Sequence, residues 1–111
     1  MISSSLSGIR TAVTMIEASA GNTANANTNG YRKKTVELKE GDKGGVTASV
    51  KTSPSAGISY ADAYGNASEA STVDYAEEAV NRMTARHMLS ANIASMKTAD
   101  EMEKSVIDIL A

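Results

Sequence analysis

Apolar residues near the N-terminus recur at alternating steps of four and three residues, and this spacing restricts the fold more than any other feature. They are Ile2, Leu6, Ile9, Val13, Ile16 and Ala20, called the N-terminal stripe below. A period of 3.5 residues places them along one side of an α-helix, as in the seam of a coiled coil. The segment runs without proline to Asn27-Thr28-Asn29-Gly30, where glycine can close a helix. We therefore predict a helix from Ile2 to about Asn27.

The C-terminal region has a similar but less regular pattern. The chain from Val73 to Leu110 contains neither glycine nor proline, and Asp74 followed by Glu77 resembles a helix-capping pair. The apolar residues of this C-terminal stripe are Val80, Met83, Leu89, Ile93, Met96, Ala99, Met102, Val106 and Ile109. Polar residues interrupt the middle of the stripe. We predict one long helix, or two helices with a flexible joint between about Thr84 and Ser90.

The middle of the chain, residues 31–72, contains five of the eight glycines and the only proline. Alternating segments at Thr35–Lys39 and Val46–Val50 flank a glycine-rich turn, which predicts a β-hairpin. Small polar residues dominate after the hairpin, so we expect a long loop over residues 52–72 with one weak strand near residues 58–60.

The predicted helix lengths determine the shape of the molecule. At about 1.5 Å per residue, the two helices would be roughly 39 Å and 57 Å long. A compact chain of this size has a diameter of roughly 35 Å, so the longer helix cannot fit inside one. The predicted fold is therefore mainly α and elongated, with long N- and C-terminal helices that pair as a coiled coil. The predicted units are an N-terminal helix and turn (1–30), a hairpin and loop insertion (31–72) and a C-terminal helix (73–111).

Large side chains that could form a core are scarce. The chain has no Trp or Phe and four Tyr, whereas Ala, Ser and Thr make up more than a third of its 111 residues. Small side chains bury little apolar area, and apolar area stabilises a fold by roughly 25 cal/mol per Å². We therefore expect an isolated chain that is only marginally stable and that gains its missing apolar contacts from neighbours.

Several classes of function are disfavoured. The chain has no cysteine, and its single histidine, His87, has no second ligand at the spacing of a metal site. It contains no nucleophile elbow, P-loop or dinucleotide-binding turn. It also lacks an apolar stretch long enough for a transmembrane helix and the basic and apolar segments of a cleavable signal peptide. We predict no catalytic, metal or cofactor site, no small-molecule substrate and no enzyme activity.

Charge is distributed unevenly, although the net charge is −2. Residues 31–51 carry a net charge of +3 and include Arg32-Lys33-Lys34, whereas residues 62–80 carry −5. These opposite charges could join copies head to tail or pair within one chain, and the sequence leaves both open. An alternative function is a small helical adaptor or regulator that binds nucleic acid through the basic turn, although three charges make a small footprint.

Two segments resemble the signature of bacterial flagellar rod and hook proteins. The first runs from Ala20 to Lys33 and includes Asn22, Asn25, Asn27, Thr28, Gly30 and Tyr31. The second lies in the C-terminal region and includes Ala91, Asn92, Thr98, Ala99, Asp100 and Glu101. Because the two segments occur in the family's order and near the two ends of the chain, the pair is more specific than either segment alone.

The resemblance implies a structural subunit of the flagellar basal-body rod, most like a small proximal-rod subunit. The implied partners are copies of the chain, other rod and axial proteins and the flagellar export apparatus. The implied location is the periplasmic rod, reached without a cleavable signal peptide. The predicted assembly seam consists of Leu6, Ile9, Val13, Ile16, Val80, Met83, Leu89, Ile93, Met96, Met102, Val106 and Ile109.

The resemblance also suggests roles for the first motif. The asparagines would satisfy the backbone of the turn or bridge to adjacent subunits. Gly30 would supply the backbone geometry of the turn, and Tyr31 would pack the hairpin against the helix pair.

Overall fold

The computed structural model describes residues 2–111. Its elements in chain order are α1 (Ile2–Ala24), β1 (Lys34–Glu40), β2 (Val46–Thr52), β3 (Ser59–Ala61), β4 (Ala67–Glu69) and α2 (Tyr75–Leu110). The molecule measures 77 × 25 × 15 Å and has a radius of gyration of 19.8 Å. A compact domain of this length would have a radius near 13 Å. The prediction of an elongated, mainly helical fold is confirmed.

The C-terminal region forms a single helix of 36 residues, so the predicted alternative with a joint between Thr84 and Ser90 is wrong. At about 1.5 Å per residue, α2 is about 54 Å long. Asp74 is its N-cap and accepts a hydrogen bond from the Ala76 backbone N–H at 2.9 Å. Glu77 does not complete a capping box, because its carboxylate binds the Lys33 ammonium at 3.0 Å.

The N-terminal helix ends at Ala24, three residues before the predicted end. The Gly21 carbonyl accepts from both the backbone N–H of Asn25, at 3.2 Å, and its side-chain amide, at 2.9 Å. The next N–H, of Ala26, donates only three residues back to Thr23, so the last turn tightens and the α-helix ends. The chain then turns through Thr28 and reaches Gly30, which has a positive φ of 74°.

The two helices lie side by side and antiparallel. Asn22 near the end of α1 contacts Glu78 near the start of α2, and Gly8 lies against Asn92 further along α2. The buried residues of α1 are small or polar, and they are Ser5, Gly8, Thr11, Ala12, Ser19 and Asn22. Those of α2 are Glu78, Ala85 and Ala99, which are separated by multiples of seven residues. Small side chains therefore form the contact between the helices.

The predicted hairpin is confirmed and is slightly longer than expected. Its antiparallel register pairs Val36 with Val50 and Leu38 with Ala48, so these four side chains share one face. The hairpin packs beside α1, where the Val46 backbone N–H donates to the Ser7 hydroxyl at 3.1 Å. The apolar face is thus partly covered by the first helix.

A second, shorter ribbon occupies part of the predicted loop. β3 agrees with the weak strand expected near residues 58–60, and it pairs with β4, which sequence analysis missed. The turn between them is closed by Asp62, whose carboxylate accepts from the backbone N–H groups of Tyr64 and Asn66, each at 2.9 Å. The sequence Asp62-Ala63-Tyr64-Gly65-Asn66 is a turn signal that could have predicted this ribbon.

Neither helix in the described part of the chain combines the length and hydropathy needed to cross a membrane.

Candidate functional site

Most of the N-terminal stripe lies on a side of α1 that no other element among residues 2–111 covers. Successive helical residues differ by about 100°, so α1 has three sides roughly 120° apart. α2 contacts the side with Ala12, and the hairpin contacts the side with Ser7. The stripe occupies the third side, where Leu6 is 38% exposed and Val13 is 41% exposed. The chain therefore presents a continuous apolar surface along its first helix.

The remaining members of this stripe show the same trend. Ile2 and Ala20 are exposed, and Ile9 and Ile16 are half-buried. None of the six is buried. The predicted seam residues of α1 are thus available to a partner rather than used against α2.

The C-terminal stripe does not form a single face of α2. Val80 and Leu89 are nine residues apart and point to opposite sides of the helix. Only Ala99 is buried, while Leu89 and Met96 are half-buried. The exposed members are Val80, Met83, Ile93, Met102, Val106 and Ile109. Their role as assembly residues stays a prediction.

Asn22 is the centre of a buried polar cluster that joins three elements. Its side-chain amide donates to the Glu78 carboxylate at 2.8 Å and to the Lys34 carbonyl at 2.7 Å. Its carbonyl oxygen accepts from the Lys34 backbone N–H at 2.8 Å and from the Tyr31 hydroxyl at 2.9 Å. One side chain, itself 1% exposed, thus ties α1 to the start of β1 and to the first turn of α2.

Glu78 completes this cluster, and the sequence analysis did not single it out. The residue is 1% exposed, and among residues 2–111 its Oε2 atom has no hydrogen-bond partner. The N-terminal end of a helix favours a negative charge, which offsets part of the cost of burial. Ser19 adds a hydrogen bond from its hydroxyl to the Glu78 carbonyl at 3.2 Å. The seven-residue spacing of Glu78 from Ala85 was the signal that could have placed it against α1.

The other residues of the first motif organise the turn after α1. The Thr28 hydroxyl donates to the Asn25 side chain at 3.1 Å, and the Gly30 N–H donates to the Glu69 carbonyl at 2.8 Å. Asn27 is exposed. The motif therefore connects the turn to β4, as well as connecting α1 to α2 through Asn22.

The second motif divides into buried and exposed residues. Asn92 is half-buried against Gly8, and its side chain donates to the Met88 carbonyl at 2.7 Å. Ala99 is buried, and Asp100 pairs with Lys104 at 2.9 Å. The exposed residues are Ala91, Thr98, Asp100 and Glu101.

The basic run after α1 is partly engaged within the chain. Lys33 pairs with Glu77, and the Arg32 guanidinium donates to the Pro54 carbonyl at 3.0 Å. The backbone of Lys34 belongs to the Asn22 cluster. These contacts give the run a structural role and leave less of it free to bind an anionic partner.

One carboxyl group on the hairpin has a perturbed pKa. A hydrogen bond and ion pair from Lys51, at 2.7 Å, hold the pKa of Glu37 below its ordinary value of 4.5. A lowered carboxyl pKa adds stability above the unfolded-state pKa, and this stability is lost as the pH falls through the folded-state pKa. Because both side chains are exposed, the contribution to the hairpin is small.

The described residues form no cluster of three or more His, Cys, Asp or Glu side chains that could hold a metal ion. His87 is exposed on α2 beside a shallow depression that it shares with Met83, Arg86 and Ser90. No convergent set of polar groups surrounds it.

Comparison with protein families assigns the C-terminal part of the chain. Residues 65–109 match the family model for the flagellar basal body rod FlgEFG protein C-terminal region. The match covers β4, nearly all of α2 and the second motif, so the resemblance seen in the sequence is confirmed there. The family comprises structural components of the flagellar rod and hook. No curated protein matches the chain.

Gly30 provides the first test of the turn geometry. Its φ of 74° lies in the left-handed region, where a β-branched side chain is strained by roughly 1–2 kcal/mol. We expect Gly30→Val to lower the free energy of unfolding by roughly this amount, which urea unfolding measures. Gly30→Asn is the matched control and should be milder, since Asn tolerates this conformation. Equal urea midpoints for the Val variant and the wild type would contradict the geometric role of Gly30.

Proposed function

We propose that the chain is a structural subunit of the flagellar basal-body rod that assembles with copies of itself and other rod proteins through its terminal helices. The observation that carries this proposal is the uncovered N-terminal stripe on α1. Its spacing of 3.5 residues suits packing against another helix, and continuous apolar surface of this kind marks an interaction site. The family match of the C-terminal segment supports the flagellar location.

The small contact between α1 and α2 supports the same function. The buried hydrophobic residues are Ala12, Ala85 and Ala99, which bury little area. Small side chains at spacings of seven residues let two helices approach closely, as in a tightly packed coiled coil. Within this proposal, the α1–α2 pair is such a coiled coil, and the larger apolar side chains remain for neighbouring subunits.

A small hydrophobic core is also compatible with export of the subunit in an unfolded state before it assembles. The chain would pass the flagellar export apparatus unfolded and would reach the periplasm. Folding would then be coupled to assembly, because neighbours supply apolar contacts that the single chain lacks. In this mechanism, neighbouring subunits cover the exposed stripe only in the assembled rod. The chain would be one of the small subunits of the proximal rod.

The direct test is mass spectrometry of purified hook–basal bodies. We expect this chain to be recovered in fixed stoichiometry with other rod proteins. If the other rod proteins are present and this chain is absent, the proposed function is wrong. Salt-dependent nucleic-acid binding by the purified chain would then be the next measurement.

The stripe itself is tested by two single substitutions. We expect Leu6→Asp and Val13→Asp each to give a soluble chain that fails to enter the rod, because a carboxylate on the stripe would be buried without a partner. Ser4→Asp places the same residue at an exposed position nine residues from Val13, on the opposite side of α1, and is the control. Recovery of either stripe variant in basal bodies at the wild-type level would show that the stripe is not the assembly seam.

A further inference from the structure

Asn29 and Gly30 form the single Asn-Gly pair in the sequence. Asparagine before glycine is the pair most reactive in deamidation, because glycine leaves the following backbone nitrogen unshielded. That nitrogen loses its proton and attacks the side-chain carbonyl carbon, Cγ, of the asparagine. The amide nitrogen leaves as ammonia, and a five-membered succinimide ring remains. Water then opens the ring at one of its two carbonyl groups, which gives aspartate or isoaspartate.

In the structure, hydrogen bonds engage both reacting groups of this pair. The Gly30 N–H, whose nitrogen is the nucleophile, donates to the Glu69 carbonyl of β4 at 2.8 Å. The side-chain oxygen of Asn29 accepts from the Tyr60 hydroxyl of β3. Asn29 is exposed, so water has access to its side chain. The pair is therefore open to solvent, whereas the ribbon of β3 and β4 holds its nucleophile and its carbonyl group.

These two hydrogen bonds oppose closure of the ring. A backbone N–H that is hydrogen-bonded in the native structure reacts only after a local opening, because it must first lose its acceptor. The bond from Tyr60 fixes the Asn29 amide, which must rotate freely for the ring to close. In an unfolded chain neither bond persists, since the two residues of the Tyr60–Asn29 bond lie 31 positions apart. The folded and unfolded chains should therefore differ in reactivity at Asn29.

We propose that Asn29 is a deamidation site and that folding of the chain suppresses the reaction there. Chains that stay unfolded lose the amide, and folded chains keep it. The isoaspartate product places one additional carbon atom in the main chain directly before Gly30. The Gly30 N–H then no longer reaches the Glu69 carbonyl from the same turn. Deamidation therefore lowers the stability of chains that have remained unfolded for a long time.

Peptide mass spectrometry of the purified chain, aged in buffer and in guanidinium chloride, tests the site. The buffer contains sucrose, which favours the folded state, and circular dichroism records the helix content of both samples. We expect Asn29 to convert several-fold more slowly in buffer. Asn27 and Asn66 are internal controls, since both are exposed but precede Thr28 and Ala67, whose side chains shield the next nitrogen. Equal rates at Asn29 in the two samples, or equal rates at all three asparagines in guanidinium chloride, would overturn the proposal.

Tyr60→Phe tests whether the ribbon itself protects Asn29. The change removes the hydroxyl and keeps the ring, so we expect deamidation in buffer to accelerate several-fold and the rate in guanidinium chloride to stay the same. Tyr64→Phe is the matched control, because it removes a hydroxyl from a side chain that is 90% exposed in the turn of the same ribbon. A slower reaction of Tyr60→Phe in buffer would show that the hydroxyl activates the Asn29 carbonyl, and it would overturn the protective role.

Refolding of the aged chain provides the last measurement. We expect wild-type chain aged in guanidinium chloride and returned to buffer to unfold at a lower urea concentration than fresh chain. Asn29→Gln is the control, since its longer side chain would have to close a six-membered ring, which is much slower. Its aged and fresh samples should unfold at the same urea concentration. Equal midpoints for aged and fresh wild type, with Asn29 converted, would overturn the proposed effect on stability.

Discussion

Gly8→Leu is expected to separate the two helices and to lower the free energy of unfolding by about 1–3 kcal/mol, the usual cost of overpacking a close contact. A Cβ atom at Gly8 would lie 2.5 Å from Cγ of Asn92, so even the first added carbon displaces that side chain. The three further carbons of Leu need still more space in the same contact. Urea unfolding followed by circular dichroism at 222 nm measures the loss.

The matched control for this prediction is Gly21→Ala in the same helix. No atom lies within 4 Å of the position that a Cβ would take at Gly21. Replacing glycine by alanine in an open helical position should stabilise the helix by about 0.5–1 kcal/mol. A Gly8→Leu protein that unfolds at the wild-type urea concentration would contradict the close contact between α1 and α2.

Asn22→Ala should have the largest effect of any single substitution considered. Within residues 2–111, the change removes the single side-chain donor to the buried Glu78 carboxylate. It also removes the hydrogen bonds that the Asn22 amide makes with the N–H and C=O groups of Lys34. Leaving a buried polar group without its hydrogen-bond partner costs about 1–3 kcal/mol, and more when the group is charged. Small domains are stable by only about 5–15 kcal/mol, so this loss is a large fraction of the total and should lower the urea midpoint clearly. Near-ultraviolet circular dichroism of the Tyr signals and urea unfolding measure this effect.

Two further variants test whether the loss of stability comes from the buried cluster around Asn22 or from any change in the first motif. Asn27→Ala alters an exposed asparagine five residues away and should change stability by less than about 0.5 kcal/mol. The double variant Asn22→Leu with Glu78→Leu removes the buried charge together with its partner. It should recover part of the lost stability, since replacing both partners of a buried hydrogen bond by apolar groups can be nearly neutral. Equal stability of Asn22→Ala and Asn27→Ala would show that the cluster does not hold the helices together.

Local patterns were sufficient to predict most elements. A helix over most of residues 2–27 followed from apolar spacing, and the hairpin followed from alternation around a glycine-rich turn. These features are visible in one sequence because they depend on neighbours within a few residues. The short ribbon of β3 and β4 was only half predicted, since strands of three residues carry little periodic signal.

The predicted seam illustrates the limit of this reasoning. Periodicity correctly placed Leu6 and Val13 on one side of α1, but it could not say which element that side would meet. Apolar spacing pointed to the largest side chains as the helix contact, whereas the helices meet through Ala12, Gly8 and Ala85. Close approach of two backbones requires small residues, and no hydropathy pattern distinguishes them from ordinary surface positions.

The amino-acid sequence alone therefore determined the elongated helical architecture, the position of the hairpin and the resemblance to the flagellar rod family. All three depend on local spacing or on residue identity along the chain. Only the tertiary structure decided how the three sides of α1 are shared between α2, the hairpin and free surface. It also placed Glu78 in the polar cluster around Asn22. These features depend on groups that lie far apart in the chain, such as Asn22, Lys34 and Glu78, and become neighbours only after the helices pair.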